Sequence, residues 1–368
     1  MKYLLISLVI TTVFIACSNS EAIMESKLEV GFEQPINFPA PTYDLEDNPI
    51  DTKGFELGRK LFYDTKLSAG NAISCAECHN QAFAFTHHGH DLSEGVLVDV
   101  LGARNSQPIQ NLAFMDAFTW DGAVELLWKQ PVIPIIEEVE MNETLENVIE
   151  KLKLDKDYPS EFADVFGGDS PVNSVNMLKA LAKFMGAMVS ANSTYDKYVR
   201  VESGGEFSEE EKRGLALFQQ KCANCHSGEL FTNQEFVNNG IGVNSKLPDE
   251  LGRSRVTIAN PDLTVEEGKA HPDYYKFKVP SLRNVEVSFP YMHDGRFVTL
   301  KRVLDFYDTD TYPYMVKMEN LDARLVSDVN GNEVLGIAMT EEEKASIIAF
   351  LKTLTDDEFL NDTRFAKP

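Results

Sequence analysis

The sequence predicts an all-α protein made of two similar halves, and three observations support this fold class. Long stretches carry apolar residues at helical spacing, whereas the alternating runs that are typical of strands are few. The pattern Gly-x-x-Leu-Phe occurs at residues 58–62 and again at 214–218. A Cys-x-x-Cys-His motif follows each copy, at residues 75–79 and 222–226. Each half therefore reads as a helix, a turn and then this motif.

The Cys-x-x-Cys-His motifs are typical of c-type haem attachment. Two thiols at this spacing can form thioethers with one porphyrin, and the adjoining histidine then lies where the iron needs a proximal ligand. A zinc ribbon would require its cysteine pairs about 15–20 residues apart, and a disulfide within each pair would leave both histidines unexplained. We therefore predict two cytochrome c-like domains, each with one covalently bound c-type haem. The attachment residues are Cys75, Cys78 and His79 in the first and Cys222, Cys225 and His226 in the second.

The first residues predict export from the cytoplasm. In residues 1–16, Lys2 precedes an apolar run that is too short to span a bilayer, which indicates a signal peptide. Residues 14–17 are similar to a lipobox, so Cys17 is predicted to be lipidated; ordinary signal cleavage nearby is the alternative. Haem attachment also takes place outside the cytoplasm. The expected location is the periplasmic side of the envelope, with membrane contact only through the lipid anchor.

Composition predicts the boundaries of the remaining segments. Residues 17–53 are rich in proline, asparagine and acidic groups and are predicted to be a tether followed by an extended arm. Residues 54–203 form the predicted N-terminal haem domain, with one long helix over 172–199, and residues 204–368 the C-terminal one. Ser208 and Thr340 are predicted to begin capped helices. The net charge of −24 argues against nucleic acid as a partner, and suits either solubility or attraction of a basic protein.

The order of the motifs resembles the bacterial dihaem cytochrome c peroxidase family, which includes the MauG branch. Between and after the haem motifs stand Arg-Asn-Ser at 104–106, Trp-Asp-Gly at 120–122, Val-Pro-Ser-Leu-Arg-Asn at 279–284 and Pro-Tyr-Met-His-Asp-Gly at 290–295. The resemblance implies that hydrogen peroxide reacts at the haem of His79. Electrons from a small cytochrome c or cupredoxin then enter at the haem of His226. A MauG-like oxidase acting on a protein or organic substrate, and a non-catalytic electron carrier, are the alternatives, and a homodimer stays open.

The resemblance assigns catalytic roles to Trp120, Gln130 and Glu140. Trp120 matches the family's tryptophan between the haems, although simple core packing is the alternative. Gln130 and Glu140 match the distal residues of the peroxide pocket. Cleavage of an O–O bond needs a group that takes a proton from one oxygen and returns it to the other, which a carboxylate can do. The alternative for Glu140 is a solvated acidic face shared with Glu137 and Glu138.

The resemblance predicts the axial ligand of the second haem from one position at which members of the family differ. Counting from His293 to the position where many peroxidases have methionine reaches Tyr307, as in the MauG branch. A phenolate is a hard anionic donor and favours ferric iron. Met315 and Met318 are the rival ligands.

Other polar residues have weaker signals. His87, His88 and His90 could supply a ligand to the first haem or lie in an exposed loop; we expect an open site. The family's calcium site matches Asn105, Ser288 and Pro290, whose oxygen atoms suit a hard cation. Arg283 and Arg296 are candidate partners of haem propionates, with a surface position as the alternative.

Overall fold

The computed structural model describes residues 31–247, 250–258, 271–309, 315–329 and 331–368. Helices dominate its regular structure: α1 (Thr52–Phe62), α2 (Cys75–Cys78), α3 (Val132–Ile136), α4 (Leu145–Leu154), α5 (Tyr158–Phe166), α6 (Ser174–Gly186), α7 (Thr194–Val199), α8 (Glu209–Lys221), α9 (Ser254–Thr257), α10 (Leu300–Tyr307), α11 (Glu341–Lys352) and α12 (Asp357–Leu360). Short 3₁₀ turns connect several of them. The predicted helical character is confirmed.

Two small antiparallel sheets, which the sequence did not predict, lie among the helices. In the first, β1 (Phe236–Val237) pairs with β2 (Phe277–Lys278), so that Phe236 lies opposite Lys278. In the second, β3 (Val326–Val329) pairs with β4 (Asn332–Leu335). Strands of two to four residues are too short to show an alternating pattern. The first sheet places Lys278 close to the candidate site.

The buried hydrophobic residues of the described ranges form two main cores, and a small third one includes Phe306 and Met315. The larger one gathers side chains between Phe38 and Ala191, and the second gathers side chains between Phe207 and Leu354. The end of the chain then returns to the first core, because Phe365 packs there against residues of α1 and α6. Arg59 and Tyr63 also donate hydrogen bonds to backbone carbonyls of residues 365–366. The last residues therefore fasten onto the N-terminal half.

The repeated Gly-x-x-Leu-Phe pattern marks the same helix crossing in both halves. A Cβ atom at Gly58 of α1 would lie 2.0 Å from the carbonyl oxygen of Ala180 in α6. A Cβ atom at Gly214 of α8 would lie 1.9 Å from that of Ser346 in α11. Matching aromatic contacts accompany the crossings, with ring centroids 5.2 Å apart for Phe62–Phe184 and 5.0 Å apart for Phe218–Phe350. Glycine is required at both positions because the backbones touch.

The described part of the predicted arm packs against the protein, since Phe38 and Ile50 are buried. One sequence prediction about the N-terminal half needs correction. The helix predicted over 172–199 is interrupted between α6 and α7. Ser193 starts α7 with a capping box, in which its hydroxyl accepts from the amide of Asp196 and its amide donates to the Asp196 carboxylate. The capping boxes predicted at Ser208 and Thr340 are confirmed.

The predicted signal peptide, the lipidated Cys17 and the first part of the tether lie outside the described residues. Among the helices of the described ranges, none has the length and apolar character needed to cross a bilayer.

Candidate active site

A cavity of about 260 Å³ in the N-terminal half brings the first haem motif together with the predicted catalytic residues. Its wall includes Cys75, Cys78 and His79, and also Trp120, Gln130 and Glu140. Helix α2 presents the two cysteines, and its start is fixed by a capping box between Ser74 and Glu77. Residues that are distant in sequence therefore meet around one space.

A second cavity of about 230 Å³ lies in the C-terminal half. It is lined by Cys222, Cys225 and His226, and also by Tyr307. Like the first pair, these cysteines form no disulfide. Each cavity thus brings two free thiols together with the histidine of the same motif, which is the donor set that a covalently attached haem requires.

Both motif histidines are held in the tautomer that can bind a metal. The Nδ1 atom of His79 lies 2.7 Å from the carbonyl oxygen of Phe85, and that of His226 lies 3.2 Å and 3.1 Å from those of Phe231 and Pro280. A carbonyl only accepts, so Nδ1 carries the proton and Nε2 keeps its lone pair. Burial lowers the pKa of each histidine to about 4 and keeps the rings neutral. Both sites fit a haem iron.

The two cavities share part of their walls, and Trp120 stands in the shared part. Trp120, Asn105 and residues 278–281 line both spaces. The indole Nε1 of Trp120 donates a hydrogen bond to the carbonyl oxygen of Asn105 at 2.8 Å, and its own carbonyl accepts from the amide of Lys278 at 2.7 Å. The side chain is therefore fixed between the two sites and is not only core filler.

Glu140 is turned inward from an otherwise exposed acidic segment. Helix α3 ends at Ile136, and the following turn leaves Glu137 and Glu138 exposed while Glu140 lines the first cavity. The Oγ atom of Ser93 donates to the Glu140 carboxylate at 3.3 Å. Burial raises the pKa of Glu140, and the Ser93 hydrogen bond opposes that shift.

A neighbouring loop fixes the backbone of Glu140. The amide of Val96 donates to the Glu140 carbonyl at 2.8 Å, and a Cβ atom at Gly95 would lie 2.2 Å from the same oxygen. The loop therefore sits directly on Glu140 and carries Ser93 to its carboxylate. Sequence reasoning missed Ser93 and Gly95 because neither stands in a recognised motif.

Tyr307 ends α10 with its hydroxyl directed to an amide in the second cavity. Its Oη atom accepts a hydrogen bond from Nδ2 of Asn239 at 3.0 Å. The Oδ1 atom of Asn239 accepts from the amide of Ile241 at 3.2 Å, which fixes the orientation of the side-chain amide. Burial raises the pKa of Tyr307 to about 12, and the Asn239 bond opposes that shift. Sequence reasoning missed Asn239, which carries no local signal.

The two methionines that the sequence offered as rival ligands do not lie at the second cavity. Met315 is buried in a small core, and the sulfur of Met318 accepts from Asn238; neither side chain lines the second cavity. Met292 does line it, and its sulfur lies 3.8 Å from Nδ2 of Asn239. Its position inside the motif at 290–295 was the available signal. Of these three methionines, only Met292 lines the same cavity as Tyr307.

The three loop histidines do not line the first cavity. His88 stacks on Phe83 with ring centroids 3.7 Å apart, and His87 stacks on His90 at 4.2 Å. His88 also meets Phe289 edge-on with ring centroids 4.9 Å apart, so the histidines pack against aromatic rings that lie outside the lining of the first cavity. An open site at the first haem stays a prediction.

The residues proposed for calcium gather at the second cavity. Asn105, Ser288 and Pro290 all line it. The Nδ2 atom of Asn105 donates to the carbonyls of His90 and Asp91 at 3.2 Å, which directs its side-chain oxygen the other way. The three residues thus line the same cavity, and a calcium site among them stays a prediction.

The two arginines proposed as propionate partners are engaged elsewhere. Arg283 is fully buried and pairs with Asp196, and Arg296 pairs with Asp294. Neither arginine lines either cavity.

The comparisons with known proteins agree with this geometry. Residues 52–204 match the family model described as di-haem cytochrome c peroxidase. The methylamine utilization protein MauG of Methylorubrum extorquens is 32% identical over 330 residues, which cover 89% of this chain and 84% of that protein. The chain belongs to the di-haem cytochrome c peroxidase and MauG family. It is therefore an oxidoreductase, and the family implies two haem cofactors.

Other similar proteins include both a peroxidase and a MauG-like protein. The cytochrome c551 peroxidase of Nitrosomonas europaea is 29% identical over 311 residues, covering 82% of this chain and 80% of that protein. One similar solved structure is that of a MauG-like protein associated with microbial copper homeostasis. Its sequence is 27% identical and its TM-score is 0.77, and the match covers 92% of this chain and 99% of the MauG-like chain. The fold and the family are thus shared with both peroxidases and MauG proteins.

Proposed function

We propose that this protein is a dihaem peroxidase that reduces hydrogen peroxide to water with electrons from a small redox protein. The observation that carries the proposal is the presence of Gln130 and Glu140 in the same cavity as Cys75, Cys78 and His79. When bound there by thioethers to both cysteines, the haem supplies the iron centre at which peroxide is reduced. A plain electron carrier would need no half-buried carboxylate and amide in the lining of this cavity.

Glu140 acts as the general acid and base in this proposal. Its carboxylate takes a proton from one peroxide oxygen and returns it to the other, so that the O–O bond breaks with water as the leaving group. Ser93 orients the carboxylate, and burial makes its protonated form accessible by raising its pKa. The amide of Gln130 positions the peroxide. Each turnover consumes two electrons and two protons and produces two water molecules.

Electrons from the donor protein enter at the haem site of the second cavity. A small cytochrome or a cupredoxin is the proposed donor, and Trp120 stands in the wall through which electrons pass to the first site. His226 and Tyr307 would hold the iron of the second haem, with the Tyr307 hydroxyl oriented by the hydrogen bond that it accepts from Asn239. Asn105, Ser288 and Pro290 are the proposed calcium ligands. The proposed location is the periplasmic side of the envelope, with a lipid on Cys17.

A MauG-type oxidase is the second candidate, and Tyr307 favours it. A tyrosine oxygen in the second cavity would hold the iron in its ferric state more strongly than a thioether would. Such a site suits the oxidation of a protein or organic substrate rather than rapid exchange with a donor cytochrome.

The purified holoprotein distinguishes these functions. We expect peroxide to be consumed by the fully ferric protein, and two equivalents of a reduced small cytochrome or cupredoxin to be oxidised for each peroxide. Stopped-flow absorbance with and without the donor measures both. Reaction with peroxide that leaves both donors reduced would favour the MauG-type function, and no reaction with peroxide would leave an electron carrier.

The assignment of Tyr307 predicts a change in reduction potential. Replacing Tyr307 with methionine is expected to raise the potential of the second haem, because a thioether stabilises ferrous iron relative to a phenolate. A spectroelectrochemical titration measures it. Tyr291→Phe is the matched control, since Tyr291 lines the same cavity but its hydroxyl donates to the carbonyl of Val285. A potential that responds to Met292→Leu and not to Tyr307→Met would identify Met292 as the ligand instead.

A further inference from the structure

Lys278 is a buried cation in the wall that the two cavities share. Its residue surface is 8% exposed, and it lines both spaces. Strand β2 places it opposite Phe236, and its backbone amide donates to the carbonyl of Trp120 at 2.7 Å. The lysine therefore lies next to the residue that separates the two sites.

No acidic side chain of the described residues forms an ion pair with Lys278. Its Nζ atom donates to the carbonyl oxygen of Ala117 at 2.7 Å, and a lysine ammonium has three protons to donate. Burial lowers the pKa of Lys278 to about 8, and the charge of Asp116 offsets only part of that effect. Burying a cation without a counter-charge is costly, so such groups in proteins are normally paired.

The other lysine and arginine side chains of the two linings are already engaged. Arg104 in the first cavity holds Asp121 and Glu250 at 2.7 Å and 2.8 Å. In the second cavity, Arg324 holds Asp322 at 2.7 Å, and Lys221 donates to the carbonyl of residue 338 and lies 3.6 Å from Glu343. Within the described residues, Lys278 alone among them lacks an acidic neighbour at ion-pair distance.

The family's cofactors supply the missing negative charge, because every haem carries two propionate carboxylates. We propose that Lys278 pairs with a haem propionate at the shared wall, so that one cation acts electrostatically on both cofactors. A positive charge near the iron disfavours the ferric state and raises the reduction potential. The inference requires only the two haems and holds whether the protein is a peroxidase or a MauG-type oxidase.

Redox titration of the full-length holoprotein tests the proposal. Lys278→Met is expected to lower the reduction potentials of both haems, with the larger change at the haem whose propionate is paired, and Lys278→Arg is expected to keep them close to the wild-type values. Lys276→Met is the matched control, because Lys276 lies two residues away, pairs with Asp273 at 3.2 Å and lines neither cavity. Unchanged potentials in Lys278→Met, or changes equal to those in Lys276→Met, would overturn the proposal.

A second measurement covers the case in which Lys278→Met does not assemble with haem. The propionate bending band in the resonance Raman spectrum responds to hydrogen bonding at the carboxylate. Because a guanidinium and an ammonium bind a carboxylate with different geometry, this band is expected to shift in Lys278→Arg. A band identical to that of the wild type would contradict the pairing.

Discussion

Replacing Glu140 with alanine is expected to slow peroxide turnover by about 10²–10⁴-fold, the usual contribution of a general acid–base group. The carboxylate lines the first cavity and accepts from Ser93, whereas Glu137 and Glu138 are exposed. Haem content and the affinity for the electron donor should stay at wild-type values, because Glu140 contacts neither the second cavity nor its motif. Steady-state turnover with a reduced small cytochrome measures the effect.

Glu138→Ala is the matched control for this prediction, because Glu138 is exposed and lies in the same acidic segment. It should leave turnover unchanged. If both substitutions slowed turnover equally, the segment would act through its surface charge, and the assignment of Glu140 as acid and base would be wrong.

The same assignment predicts the direction of the pH dependence. Glu140 must be deprotonated to take a proton from peroxide, so the rate should fall as the pH decreases through its pKa. Burial raises that pKa, which places the acid limb above the ordinary range of a glutamate. The limb should be absent from the residual activity of Glu140→Ala. A limb that persists unchanged would belong to another group.

Motif chemistry and close packing were the parts of this molecule that the sequence could predict. Cysteine and histidine at fixed spacing identify a haem site without knowledge of the fold. The glycines at 58 and 214 were visible as an internal repeat, and the structure explains them by helix backbones in contact. The cysteine and histidine spacing is a local requirement. The glycines instead meet a helix that is distant in sequence, and they were visible only because the same short pattern occurs twice.

Contacts between distant segments were not predictable from the sequence. Glu140 faces inward because α3 ends before it and because the loop carrying Gly95 rests on its carbonyl. Asn239, which follows β1, donates to Tyr307 at the end of α10, and these two residues are 68 positions apart in the sequence. The family resemblance pointed to Glu140 and Tyr307, yet their hydrogen-bond partners depend on tertiary structure and leave no local pattern.

Replacing Arg283 with methionine is expected to lower the free energy of unfolding by about 3–5 kcal/mol, the typical cost of removing one partner of a buried ion pair. The side chains of Arg283 and Asp196 are fully buried, and two guanidinium nitrogens donate to the two carboxylate oxygens at 2.8 Å each. Arg283 also donates to the carbonyls of Glu229 and Ser190. The variant would leave the Asp196 carboxylate buried without its counter-charge.

Urea unfolding followed by far-ultraviolet circular dichroism measures this change. Arg364→Met is the control, because Arg364 pairs with Asp362 near the surface, where an ion pair contributes only about 0–1 kcal/mol. A double variant, Arg283→Met with Asp196→Leu, should be more stable than Arg283→Met alone, since it removes the unpaired charge as well. Equal losses in Arg283→Met and in the double variant would indicate that packing, and not charge, is the source of the effect.

The pH dependence of this loss provides an independent test. Burial raises the pKa of Asp196, but the hydrogen bonds and charge of Arg283 outweigh that effect and hold it below its ordinary value. A carboxylate with a lowered folded-state pKa stabilises the fold fully above its unfolded pKa of about 3.9, and that stabilisation disappears as the pH falls through the folded value. The difference between wild type and Arg283→Met should therefore be constant near neutral pH and shrink in acid. A difference that stays constant to strongly acidic pH would show that the Asp196 charge is not what Arg283 stabilises.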